Sequence, residues 1–230
     1  MTASQVIEGV ALGDLALLSA GLIALSSRFR RLTRPMRWLV MYLGIVWAVE
    51  ILAKLYVYEW LPGSNLYLLH IYTPLEFALL GIMYLYLLDK KWQSRLGLSL
   101  LIFFLGIVAY SVVNLIGSWN NVQDFALYSK LLVNGTMVAL ASLFFVRILK
   151  NPGNYVQRFN SLGLANSGVL LYFAGSFIIY LIMNQLVNSY VSQTLYLWVM
   201  NAMLTFIFHL MCIIALWQKD SLQPTTSPNG

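Results

Sequence analysis

Long apolar stretches separated by short polar breaks run along almost the whole chain. Seven of them predict membrane-crossing helices, at positions 10–26, 38–61, 66–88, 96–117, 125–145, 163–186 and 196–217. With a helical rise of about 1.5 Å per residue, roughly 20 apolar residues cover the ~30 Å hydrocarbon core of a bilayer. Several breaks carry turn chemistry, as in Pro62-Gly63-Ser64-Asn65 and Asn151-Pro152-Gly153-Asn154. The pattern therefore predicts an all-α polytopic membrane bundle of seven transmembrane helices, a single domain over 1–219. The polar segment 220–230, with two prolines, is expected to be a disordered tail.

Polar residues inside these runs carry the chemistry. Glu50 and Lys54 lie midway along the second run, one helical turn apart, so they share a face in the favourable order for an ion pair. A charge at membrane depth costs several kcal/mol, roughly 2.5–3.5 on insertion scales, and normally faces a protein interior or a wet cavity. Depths counted along each run place Asp14, Lys54, His70, Asn114, Lys130, Asn184 and Asn201 in the outer half of the membrane. Glu50, Glu76 and Asn134 fall near the middle, and His209 in the inner half. Helical spacing then groups them: Tyr72 with Glu76, Lys130 with Asn134, Ser176 with Tyr180 and Asn184, and Asn201 with Thr205 and His209. If these stripes face inward, the bundle holds a polar pocket that opens to the outside.

Charge accounting sharpens the expectation. The interior acids are Asp14, Glu50 and Glu76; the bases are Lys54 and Lys130, a formal excess of one negative charge. A lone buried carboxylate is costly, so either one acid is protonated or a cation compensates. Glu76 is the first choice for protonation, because no basic residue lies one turn from it on its own helix. Each feature also has a purely structural alternative. Glu50 with Lys54 can pin helix packing, Asp14 can sit at the interface, and the Asn and Thr residues can be interhelical glue.

The remaining charges set an orientation. Of 14 Lys and Arg residues, 12 fall at one set of helix ends, in the clusters Arg28–Arg37, Lys90–Arg95, Arg147–Arg158 and at Lys219. The other two are Lys54 and Lys130. The positive-inside rule then puts the N-terminus outside and the C-terminus in the cytoplasm. Trp60, Tyr67 and Trp119 mark one interface, and Trp38, Trp92 and Trp217 the other. Composition agrees: 60% of residues are hydrophobic and 10% charged, with a mean hydropathy of +0.75, where soluble domains carry about 25% charged residues. The net charge of +6 is membrane topology and not a nucleic-acid patch. Cys212 is the single cysteine, so no intrachain disulfide forms.

Few signatures of known membrane chemistries occur among these residues. The helix count and orientation resemble those of rhodopsins and heptahelical receptors, but the seventh run lacks the lysine that binds retinal. Seven-helix zinc hydrolases need several close histidines, and His70 and His209 are the only two, at different estimated depths. No phosphate-binding Gly-rich loop, nucleophile elbow or Cys-x-x-Cys occurs. The run Tyr72-Thr73-Pro74-Leu75-Glu76-Phe77 is similar to that in small seven-helix bacterial inner-membrane proteins. That resemblance implies a bacterial inner (plasma) membrane location and no particular activity.

The residues expected to bind a ligand or couple protons are Glu50, Lys54, Glu76, Lys130, Asp14, His70, Tyr72, Asn134 and Asn201. No catalytic residue, metal or cofactor is assigned. The favoured reading is a receptor-like bundle that recognises a small polar or zwitterionic molecule. Its partners would be the lipid bilayer, that ligand and a separate membrane or cytoplasmic signalling protein. A proton-coupled carrier of small solutes is the alternative, followed by an intramembrane lipid enzyme or a subunit of a membrane complex.

Overall fold

A computed structural model of the chain describes residues 3–57, 66–87, 90–117, 126–150, 159–186 and 191–218. Among them are seven long helices: α1 (Ala3–Ser26), α2 (Arg34–Val57), α3 (Leu66–Leu87), α4 (Lys90–Gly117), α5 (Ala126–Lys150), α6 (Phe159–Leu186) and α7 (Val191–Trp217). Each contains a stretch long and apolar enough to cross a membrane, and no strand occurs among the described residues. The expected all-α membrane bundle is the observed fold. The turns at 62–65 and 151–154, the segment 118–124, Trp60, Trp119 and the tail 220–230 lie outside the described residues, as do the side chains of Tyr67, Trp92, Asn114 and Asn184.

Several helices are longer than the apolar runs that foretold them. Helix α1 begins at Ala3, α4 at Lys90 and α7 at Val191, each ahead of its apolar stretch. Lys, Gln and Arg are good helix formers, and in a helix each backbone polar group is satisfied within the segment. Polar ends therefore continue the helix past the hydrocarbon boundary.

Helices α1, α2, α3, α5, α6 and α7 pack in a closed ring, each against the next, and α2 also touches α7 across it. Helix α4 stays outside, leaning on α3 and α5. Its sequence explains this: beyond Arg95 it has no charged residue to hide, and Leu98, Ile102 and Val113 are 60%, 62% and 68% exposed. Only one stripe turns inward, where Phe103 meets Phe77 edge-on at 5.2 Å between ring centres.

The ends rich in basic residues are tied by arginines to helix C-termini. The Arg28 guanidinium donates to the Trp217 carbonyl (2.9 Å) and lies 4.9 Å from the centre of its indole ring. Arg147 donates to the Leu87 carbonyl (3.3 Å). Both satisfy carbonyls that a helix end leaves over. Between these ends and the middle of the bundle lies the apolar core, including Leu25, Met36, Leu80, Phe144, Val169 and Leu216. A polar tie crosses it: Tyr84 donates to Asn166 Oδ1 (2.5 Å), and Asn166 Nδ2 donates to the Ala141 carbonyl (3.1 Å), joining α3, α6 and α5.

Close contact of α6 with α7 depends on small residues. A Cβ at Gly168 would stand 3.1 Å from Phe208 Cδ2 and 3.2 Å from Met211 Cβ, an atom fixed to the backbone. Without a hydrophobic drive between helices in lipid, such close packing supplies much of their attachment. Gly168→Val is expected to lower stability by about 1–3 kcal/mol through overpacking. Gly9→Val, where nothing lies within 4 Å, should cost clearly less. Unfolding of the two variants in detergent compares them directly.

Candidate functional site

Four polar side chains from three helices meet in the middle of the ring. Spacing of four residues puts Tyr72 and Glu76 on one face of α3, which packs against α2 and α5. Lys130 of α5 forms an ion pair with Glu76, and both are buried. The Tyr72 hydroxyl donates to Glu76 Oε1 (2.8 Å), and Tyr42 of α2 reaches the same oxygen at 3.4 Å and the Tyr72 hydroxyl at 3.2 Å. The carboxylate thus faces three donors, one of them cationic. The Lys130 ammonium also lies over the rings of Tyr72 (5.1 Å) and Tyr172 (5.9 Å). Aromatic faces stabilise a desolvated cation by up to about 2 kcal/mol.

A second buried pair joins the first and last helices. His209 Nδ1 lies 2.9 and 3.0 Å from the two carboxylate oxygens of Asp14, and both residues are buried. Helices α1 and α7 run parallel, since Arg28 and Trp217 meet at their ends while Asp14 and His209 meet midway. Glu50 of α2 lines one cavity together with Asp14 and Lys54.

Two cavities open beside these pairs, in the half of the bundle where α1 and α7 begin. The larger, about 390 Å³, lies among α2, α3, α5, α6 and α7. Its polar and aromatic wall comprises Glu50, Lys130, Tyr72, Tyr172, Tyr180 and Trp198. The smaller, about 360 Å³, lies among α1, α2 and α7 and is faced by Asp14 and Lys54. Glu50, Trp198, Asn201 and Thr205 belong to both walls. Asn201 is held in place by α6, because Ser176 Oγ donates to its Oδ1 (2.8 Å). A third cavity, about 350 Å³ between α3 and α4, is walled by apolar residues alone and offers no chemistry.

The structure assembles the expected residues differently from the spacing argument. Glu50 and Lys54 form no ion pair; the pair that forms is Glu76 with Lys130. Glu76 therefore has its cation, supplied by another helix, and the reason for expecting it to be protonated disappears. Asp14 is buried and partnered by His209. The depth estimates that separated Asp14 from His209 are also corrected, because the two side chains touch. Asp14, Glu50, Lys54, Tyr72, Lys130 and Asn201 line one or both cavities. Glu76 stands behind the wall, and His70 and Asn134 are buried but line neither cavity. Both amide atoms of Asn134 are without a hydrogen-bond partner among the described residues.

Sequence reasoning did not assign His209, Tyr42, Tyr172, Trp198 or Thr205 to the site. A signal existed for two of them, since the Asn201, Thr205, His209 stripe is visible in the spacing. The aromatic residues gave none, because Tyr and Trp are ordinary in membrane helices. Among the described residues, no group of three or more His, Cys, Asp and Glu side chains is placed to hold a metal ion. Comparison with protein-family models, curated proteins and solved structures finds no match to the chain.

Proposed function

We propose that this integral membrane protein binds a small polar or zwitterionic molecule in the larger cavity, acting as a receptor or sensor. The observation that carries the reading is a cavity of about 390 Å³ whose wall holds Glu50, without an ion pair among the described residues, beside the polar Asn201 and Thr205. Small-molecule sites typically have volumes of ~300–1,000 Å³, mostly apolar walls and a few convergent polar groups. Intramembrane charges lining a cavity are functional by default. With the basic helix ends in the cytoplasm, as the positive-inside rule assigns, the cavity opens to the outer face of a bacterial inner membrane.

Thermal unfolding of the purified protein, with and without a panel of polar metabolites, tests this. A ligand present at 100 times its Kd stabilises the folded state by about 2.7 kcal/mol. Glu50→Gln, a change of similar volume in a wall residue, is expected to abolish the shift while leaving the unliganded unfolding temperature nearly unchanged. A variant that is merely less stable, with no ligand response in either protein, assigns Glu50 to packing instead.

One observation favours a second reading, a proton-coupled carrier. Asp14, buried against His209, shares the wall of the smaller cavity with Glu50, which borders both cavities. A proton taken up at this group would change the charge that the ligand meets. Flux of solute or protons into liposomes separates carrier from receptor.

A further inference from the structure

We propose that the group recognised in the larger cavity is an organic ammonium, lodged beside the Tyr180–Trp198 ring pair and the Glu50 carboxylate. This deepens the ligand-binding reading and rests on it. The molecule already shows how this wall holds a cation: the Lys130 ammonium is fixed by one carboxylate, Glu76, and by the faces of two aromatic rings, Tyr72 and Tyr172. On the side of α6 and α7 the same elements occur again. Tyr180 and Trp198 stand at 86° to each other with ring centres 6.3 Å apart, forming two walls of a corner. Glu50 supplies the carboxylate, and it forms no ion pair among the described residues. Lys130 is the one basic residue in this wall, and it is committed to Glu76.

The charge pattern selects against the opposite ligand. An anion entering the cavity would meet Glu50, and the one available cation is already neutralised. Lys54 is outside ion-pair distance of Glu50 and is absent from the wall of the larger cavity. The rest of the wall is apolar, with Val46, Val49 and Leu68. Alkyl or methyl groups on the nitrogen would pack there, while Asn201 and Thr205 offer polar contacts to the remainder of the molecule. Aromatic corners with a nearby carboxylate are suited to such cations, since the ring quadrupole attracts a positive charge that water hydrates weakly.

The test is calorimetric titration and thermal unfolding of the full-length protein in detergent with choline, ethanolamine and the uncharged choline isostere 3,3-dimethyl-1-butanol. At least one of the two cations is expected to bind about tenfold or more tightly than the neutral isostere, as a desolvated cation–π contact implies. Choline above ethanolamine identifies a methylated ammonium; the reverse order identifies a primary one. Trp198→Ala should weaken the cation by about tenfold, Glu50→Gln should abolish its binding, and Trp198→Phe should keep most of the affinity. Equal affinity for the isostere, or binding that survives Trp198→Ala unchanged, overturns the inference. Glucose and succinate run beside these probes: binding of either without the cations would leave the ligand pocket standing and remove the ammonium. No response to any probe would reject both.

Discussion

Lys130→Met is expected to destabilise the bundle by about 3–5 kcal/mol, the usual consequence of removing one member of a buried ion pair. Lys130 and Glu76 are buried, and each is the other's opposite charge. Without the ammonium, Glu76 keeps only the Tyr72 and Tyr42 hydroxyls, which do not neutralise it. The change also removes a cation from the faces of Tyr72 and Tyr172. The double variant Glu76→Gln, Lys130→Met should recover much of the loss, because glutamine accepts the tyrosine hydrogen bonds without a charge. Unfolding of the four members of this cycle measures the coupling. A double variant as unstable as Lys130→Met would show that packing, and not charge, holds this position.

The Asp14–His209 pair should give the next largest effect. Asp14→Ala leaves a fully buried imidazole without its partner, at a cost of about 1–3 kcal/mol, and more if the ring stays charged. The second ring nitrogen offers no relief, since Nε2 has no hydrogen-bond partner among the described residues. Around the ring lie Tyr42 and Phe208, with centres 6.2 and 5.6 Å away. A phenyl group suits that environment. Asp14→Leu combined with His209→Phe is therefore expected to be more stable than Asp14→Ala alone. The same unfolding assay decides it, and an additive loss in the double variant would exclude the pairing as the cause.

How much of this was legible in the chain depends on the scale of the interaction. Spans were readable because each needs its own apolar run, a property local to roughly 20 residues. The inward stripes were readable for the same reason: Ser176 and Asn201, on two predicted stripes, do meet. Partners across helices were not. Glu76 finds Lys130 on another helix, 54 positions further along the chain, and nothing in one sequence tells which helices are neighbours. Glu50 and Lys54 illustrate the converse, because a shared helical face is not a contact. Both side chains line the smaller cavity, yet they form no ion pair. Asp14 and His209 were misplaced in depth because levels were counted from apolar boundaries, while α1 and α7 begin well before theirs.

Cysteine accessibility tests most directly whether the polar cavities open at one end of the bundle. Native Cys212 is fully buried, so it contributes little background to labelling with a membrane-impermeant maleimide. Ala53 borders both cavities, Glu8 is exposed near the start of α1, and Ala141 is buried in the apolar core. With reagent applied to the outer face of intact cells, Ala53→Cys should be labelled, as Glu8→Cys is, and Ala141→Cys should not. Labelling of Glu8→Cys with none at Ala53→Cys would contradict an open polar cavity. Labelling of both only from the cytoplasmic face would contradict its orientation.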